Sequence, residues 1–243
     1  MIVTKALVLN RNDWRDYDRI VTLLSPTLGR VEAVARGCRK HKSPLMNAAE
    51  RFAAGEFTLM EAHGRYTITG CESSESFYPL RGDVDKLTAG AYILHLLLQA
   101  ALPGQPSEPL FLLALKALAF LSYGELPAFL VVAAFELHYL HLGGQAPRVD
   151  SCVVCGRAFD GEKSRFDARL GGAACLNCPS IGKALSHGAR RILLRVPLTR
   201  FEVIDKLVGH PDLAEAAAHT RRFMQERMET PPRQWPPLPG ANV

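Results

Sequence analysis

The 243-residue sequence predicts an α+β chain: a small five-stranded barrel first, then an all-α region that carries a four-cysteine ribbon. Three observations carry this prediction. Short apolar runs with period-two alternation fill the first eighty residues, and apolar residues at three-to-four spacing fill most of the remainder. Between the helical stretches stand two C-x-x-C pairs, Cys152/Cys155 and Cys175/Cys178, nineteen residues apart.

The β region runs from residue 1 to about residue 79. Ile2 to Leu9 is apolar and β-branched at its start, and Arg19 to Leu24 is a second run ending at the turn residues Pro26 and Gly29. In Arg30 to Arg36, Val31, Ala33 and Ala35 share one face while Arg30, Glu32 and Arg36 share the other, the pattern of a half-buried strand. Glu56 to Glu61 and Tyr66 to Gly70 alternate in the same way around a turn at His63-Gly64. Five short strands match the count of the oligonucleotide-binding barrel (OB-fold). An SH3-like barrel or a small sandwich would read much the same.

Between Arg36 and Arg51 the composition changes: ARGCRKHKSPLMNAAER holds Arg36, Arg39, Lys40, His41 and Lys42 against Glu50. Composition leaves two readings open, a loop that contacts phosphates or a solvated linker.

Residues 80–148 read as helical. Leu87, Ala91, Leu94 and Leu98 mark one buried face, Pro103-Gly104 breaks the run, and a second helix follows Ser107 to Leu121. A third carries Leu126 to Leu142 before Gly143-Gly144. These helices are apolar around most of their circumference, as central packing elements are. His95, His138 and His141 within them read as core or interface residues.

Residues 149–179 form the ribbon. A C-x-x-C turn points two thiolates at one ion, and two such turns complete a tetrahedral set, so Cys152, Cys155, Cys175 and Cys178 predict one structural Zn2+. Four thiolates leave no open position for water, and no H-E-x-x-H or H-x-E motif is present, so catalytic zinc is disfavoured. Residues 180–229 return to helix: Ala189 to Leu194, Arg200 to Val208, and Pro211 to about Glu229. Residues 230–243 are proline-rich and predict an extended or disordered tail in which Trp235 is a candidate docking anchor.

The opening MIVTKALVLNRNDW lacks the apolar core of a secretory signal, and the longest apolar stretches are too short to span a bilayer, which predicts a cytoplasmic protein with no membrane segment. Such a compartment, together with two unpaired cysteines (Cys38, Cys71), also disfavours disulfides. Net charge is +5, distributed unevenly: residues 1–80 carry eleven Lys/Arg against nine Asp/Glu, residues 81–150 four against six, and residues 151–243 fourteen against nine. Basic ends are compatible with a polyanionic partner. No P-loop glycine motif is present, so no NTPase is expected.

This order of parts resembles the RecO family of bacterial DNA repair proteins. Three stretches carry the resemblance: Lys5-Ala-Leu-Val-Leu with Tyr17-Asp-Arg-Ile-Val-Thr-Leu-Leu; Leu28-Gly-Arg-Val-Glu-Ala-Val-Ala-Arg-Gly ahead of Arg39-Lys40 and Ser43-Pro44-Leu45; and the ribbon from Cys152 through Gly171-Gly172 to Cys178. The resemblance implies an N-terminal OB-fold barrel joined to a helical domain that carries the zinc ribbon. It implies a non-enzymatic recombination mediator that binds single- and double-stranded DNA and anneals complementary strands. With RecR, such a protein helps load RecA on DNA coated by single-strand-binding protein, in the cytoplasm and associated with the nucleoid. The implied DNA contacts are Lys5, Arg30, Arg36, Arg39, Lys40 and Lys42, with Arg15, Arg19 and Arg51 as secondary candidates. Few aromatics interleave with these charges, which favours backbone recognition over stacking.

Two rival readings follow from the same residues. In a zinc-ribbon transcription or translation factor the ribbon itself would read nucleic acid through Arg157, Lys163, Arg165 and Arg169. A metalloenzyme would need the catalytic motif that the chain lacks.

Overall fold

The structure is a computed structural model that describes residues 1–161 and 163–238. The chain divides into two compact units, 1–123 and 124–243.

Unit one begins with β1 (Ile2–Trp14), β2 (Asp18–Ser25), β3 (Gly29–Ala35), β4 (Ala54–Ala62) and β5 (Arg65–Glu75). They close a barrel in the order β1-β2-β3-β5-β4, with β3 and β5 parallel and the other neighbours antiparallel. This is an OB-like barrel, and closure removes the exposed edges that five short strands would otherwise present. Alternation did its work: Val31, Ala33 and Ala35 join Ala6, Val8, Val21, Leu23, Phe57, Leu59 and Ile68 in the interior. β1 is longer than its apolar run. Only Ile2 to Leu7 pair with β4, and beyond a register shift at Val8/Asn10 the strand continues to Trp14 paired with β2 alone.

Two helices complete this unit. α1 (Val84–Ala100) is capped by Asp83, whose side chain accepts from the amides of Asp85 and Lys86, and α2 (Glu108–Tyr123) packs beside it. α1 lies against β1 and α2 against β2, so the compact unit extends past residue 79, where the secondary-structure type changes. Gly29 makes the link close. Its φ is +70°, and a Cβ there would meet the Leu102 and Gln105 carbonyl oxygens at 2.5 and 2.6 Å, so no other residue lets this linker reach β3.

Unit two holds α3 (Ala128–Leu142), α4 (His187–Arg195) and α5 (Leu213–Arg227), with a three-stranded sheet β7-β6-β8 made of β6 (Ser164–Asp167), β7 (Gly172–Cys175) and β8 (Lys183–Leu185). α3 is buried continuously from Leu130 to Leu137, as its all-round apolar sequence requires. Ser186 caps α4 by accepting from the Ala189 amide. The helix expected from Arg200 to Val208 is present as a 3-10 helix, Phe201–Leu207. The proline-rich segment has no helix or strand through Leu238, and its Pro236 is buried; the rest of the tail, from residue 239, lies outside the described residues. Among the described residues no helix is long and apolar enough to cross a membrane.

Candidate nucleic-acid interface and metal centre

The basic segment after β3 is an ordered part of the barrel. Leu45, Ala48, Ala49 and Ala53 pack into the barrel core, with Cys38 buried beside them. Sinking these apolar residues leaves Arg36, Arg39, Lys40, His41 and Lys42 exposed on the outside. Burial raises the Cys38 thiol, which keeps it protonated and inert.

Two hydrogen bonds tie this loop to the tip of the β1–β2 hairpin. The Gly37 amide donates to Asp18 Oδ1 at 2.8 Å, and the Arg39 amide donates to the Tyr17 carbonyl at 3.0 Å. The Lys40 ammonium lies 5.5 Å from the centre of the Tyr17 ring. An ion-pair network fixes the base of the arrangement: Arg19 reaches Asp13 at 3.0 Å and Glu50 at 2.6 Å, and Arg11 reaches Glu50 at 2.8 Å. Arg19, hydrogen-bonded to Asp13, holds that carboxyl below the ordinary range, with Arg39 and Arg11 adding to the effect.

The six expected DNA contacts therefore divide. Arg36, Arg39, Lys40 and Lys42 gather on one loop. Among the described residues Arg36 and Lys42 have no carboxylate within ion-pair distance, and Arg39 meets Asp13 only at 3.6 Å. Lys5 lies elsewhere, opposite Glu56 in a cross-strand row that continues to Glu72. Nine residues of strand, about 30 Å at the usual rise, separate it from Trp14. Arg30, half-buried, donates to the Leu98 carbonyl at the end of α1. Of the secondary candidates, Arg19 is committed to its carboxylates and Arg51 to Asn10, while Arg15 is exposed at the hairpin tip.

The sequence reading missed the aromatics. Trp14 and Tyr17 are exposed at the hairpin tip, and the loop beginning at Arg36 is tied to that same tip, so charge and aromatic side chains do interleave in space. About twenty residues separate them in sequence. The signal that could have found them was the polar stretch ending β1, where a tryptophan has no apolar face to join.

In unit two the four cysteines converge. Their sulfurs all lie within 4.8 Å of one another, with Cys155 and Cys175 at 3.9 Å. A tetrahedral ion with bonds of about 2.3 Å needs sulfurs roughly 3.8 Å apart, so the set fits. Gly156 has φ +77°, which turns the first knuckle, and Gly172 brings β7 so near Arg148 that a Cβ would collide with the Arg148 carbonyl. Burial opposes ionisation of Cys152, but amides of Cys155, Cys175 and Val154 donate to its sulfur, and the thiol comes down to about 6. Cys178 moves the other way, pushed up to about 12 by hydrogen bonds with Cys175 and Cys155 and then by burial. Cys152 therefore gives up its proton more easily than Cys178, and a bound dication is what stabilises four thiolates side by side.

Beside the ribbon, β6, β8 and α5 enclose an open cleft of about 610 Å3 whose charged lining is Lys163, Arg165, Lys183 and Arg222 against Glu215. Arg169 points elsewhere and pairs with Glu226.

These features define the class: an OB-barrel protein with a cationic barrel end, joined to a helical unit that carries a four-cysteine metal-type ribbon. Comparison with known proteins narrows it. The chain belongs to the Recombination protein O family: residues 1–77 match its N-terminal domain and residues 81–236 its C-terminal domain. It is 31% identical to the DNA repair protein RecO of Acetivibrio thermocellus, covering 93% of this chain and 91% of that protein. It is 30% identical to the protein of that name from Alkaliphilus metalliredigens, covering 89% of each.

Proposed function

We propose that this protein acts in DNA repair as a recombination mediator, binding single- and double-stranded DNA through the basic end of its barrel and annealing complementary strands. One observation carries the reading: the loop from Arg36 is packed into the barrel by its apolar residues, so four cations are held outward on a rigid support. Cations that contact phosphates carry no sequence preference and accept either strand state. Two strands neutralised on one surface repel each other less, which lets bases find their complements. No covalent step belongs to this mechanism.

Family membership supports the rest of the reading, in which the protein works with RecR to help RecA replace single-strand-binding protein, in the cytoplasm and at the nucleoid. Zn2+ at the four cysteines is structural in this reading. Cys152, Cys155, Cys175 and Cys178 would hold it, and the ion would fasten the ribbon to its fold.

The test is annealing of two complementary oligonucleotides by the purified protein across a salt series, without nucleotide. Acceleration that fades as salt rises is expected. A folded, metal-loaded protein that accelerates nothing would overturn the annealing mechanism. The cleft lined by Lys163, Arg165, Lys183 and Arg222 favours a second reading, in which the ribbon side holds nucleic acid. DNA affinity that survives alanine at Arg36, Arg39 and Lys42 but falls on substitution of Arg165 and Lys183 would support it.

A further inference from the structure

The tip of the β1–β2 hairpin carries two large aromatic side chains that lie outside the barrel core. Trp14 is 47% exposed and Tyr17 53%, and neither belongs to the barrel core. Side chains of this kind cover much apolar area, and leaving about half of each in water costs stability unless it meets something. The tip that presents them is braced. Trp14 pairs with Asp18 at the last ladder position, the Asp18 carboxylate accepts from the Gly37 amide, and the Tyr17 carbonyl accepts from the Arg39 amide. Cations surround the platform: Arg15 within the turn itself, Arg39 on the tied loop, and Lys40 over the Tyr17 ring.

We propose that Trp14 and Tyr17 form a stacking platform for the unpaired bases of single-stranded DNA, with Lys40 and Arg39 holding the adjoining phosphates. The inference rests on reading the barrel end as a DNA-binding surface and adds to it the means of telling strand states apart. Every base has a π-face, so stacking tolerates any sequence. In a duplex both faces of each base are already covered by neighbours, so only phosphates remain for the protein to hold. The basic loop therefore serves both strand states, and the aromatic pair serves only the unpaired one. Annealing removes the stacking contacts, so the product duplex is held by phosphates alone and leaves more readily than the single strands arrived.

The experiment measures affinity of the full-length, metal-loaded protein for a fluorescein-labelled single-stranded 30-mer and for the same sequence as a duplex. Trp14→Ala and Tyr17→Ala should each weaken single-strand binding about tenfold, within the range of stacking one base on one aromatic side chain, and leave duplex binding within about twofold. Tyr17→Phe should bind as wild type does, because the ring and not the hydroxyl carries the contact. In a Trp235→Phe background, Trp14 emission should be quenched by the single strand and not by the duplex. Equal losses on both substrates, or none on either, would overturn the platform. Alanine at Arg36, Arg39 and Lys42 tests the underlying reading separately: weakening on both substrates supports it, and unchanged binding to both refutes it along with the platform.

Discussion

Arg221 Nε on α5 donates to Glu136 Oε1 on α3 across 3.4 Å, and both side chains are almost wholly shielded from water. Glu136 is the one carboxylate in an otherwise apolar stretch of helix, so without a cation it would be a costly charge. Arg221 compensates it and spends a further N–H on the Pro236 carbonyl, at 2.9 Å, while its guanidinium lies 4.8 Å from the Trp235 ring centre. The tail through Pro236 is thus fastened by the same arginine that neutralises α3. Glu136→Ala or Arg221→Ala should each cost about 3–5 kcal/mol, because each removes the opposite charge from a pair shielded from water. Replacing both with leucine should recover most of that loss. Urea unfolding followed by circular dichroism reads the effect, and single variants costing under about 1 kcal/mol would show that water reaches the pair.

The ribbon makes a different prediction, because its core is small. Around the two knuckles Cys152, Ala174 and Cys175 form a small buried cluster among the described residues, with Val153, Phe159 and Cys178 partly buried around it. So little apolar surface cannot hold the two knuckles together without a crosslink or an ion. One zinc per chain is expected by elemental analysis, and Co2+ in its place should give the intense visible bands of a tetrathiolate. Cys152→Ser should bind less metal and melt earlier before it loses DNA affinity. A metal-free Cys152→Ser protein with wild-type stability that has lost only DNA binding would overturn the structural role.

What could be read from the chain alone follows from where water lies. Strands whose two faces see core and solvent alternate, and Gly29 to Ala35 declares itself for that reason. Asn10 to Trp14 does not, because this end of β1 pairs only with β2 and is largely exposed, leaving no inner face to impose a period. The loop after Arg36 was ambiguous because its anchoring residues, Leu45, Ala48 and Ala49, are small or isolated, and their burial depends on the barrel beneath them. Lys5 and Arg30 read as DNA contacts because a resemblance carries residue types, not neighbours. The fold sets Glu56 beside one and the Leu98 carbonyl against the other. The four cysteines needed no such help, since their spacing already encodes their geometry.

The loop's electrostatics are testable through salt. Each phosphate neutralised on duplex DNA contributes about 0.9 to the slope of log K against log salt. Arg36→Ala, Arg39→Ala and Lys42→Ala combined should therefore flatten that slope by roughly 2 to 3. Lys5→Ala should leave it nearly unchanged, given the carboxylates of Glu56 and Glu72 beside it. An equal effect from Lys5→Ala would mean that the phosphate path crosses the β1–β4 face instead.

His219 predicts how the second unit responds to acid. Its Nε2 donates to the Ala184 carbonyl at 3.0 Å, which fixes the neutral tautomer and leaves Nδ1 buried without a partner among the described residues. Burial pushes the imidazole below its ordinary pKa, and Arg222 pushes the same way, while the Ala184 carbonyl and Glu215 oppose them. The unfolded chain titrates near 6.5, so below that pH it takes up a proton that the folded chain refuses. Stability from this residue is therefore complete above about pH 6.5 and is lost as pH falls toward the folded value. The expected result is a melting temperature that declines more steeply between pH 7.5 and 5.5 in the wild type than in His219→Gln, which keeps a donor for Ala184 but cannot titrate. Metal content measured at each pH separates this from loss of the ribbon's ion, since thiolate protonation would release metal equally from both proteins. Parallel melting curves across that range would mean that His219 accepts its proton as readily folded as unfolded, with water entering the cleft between β8 and α5 to receive it.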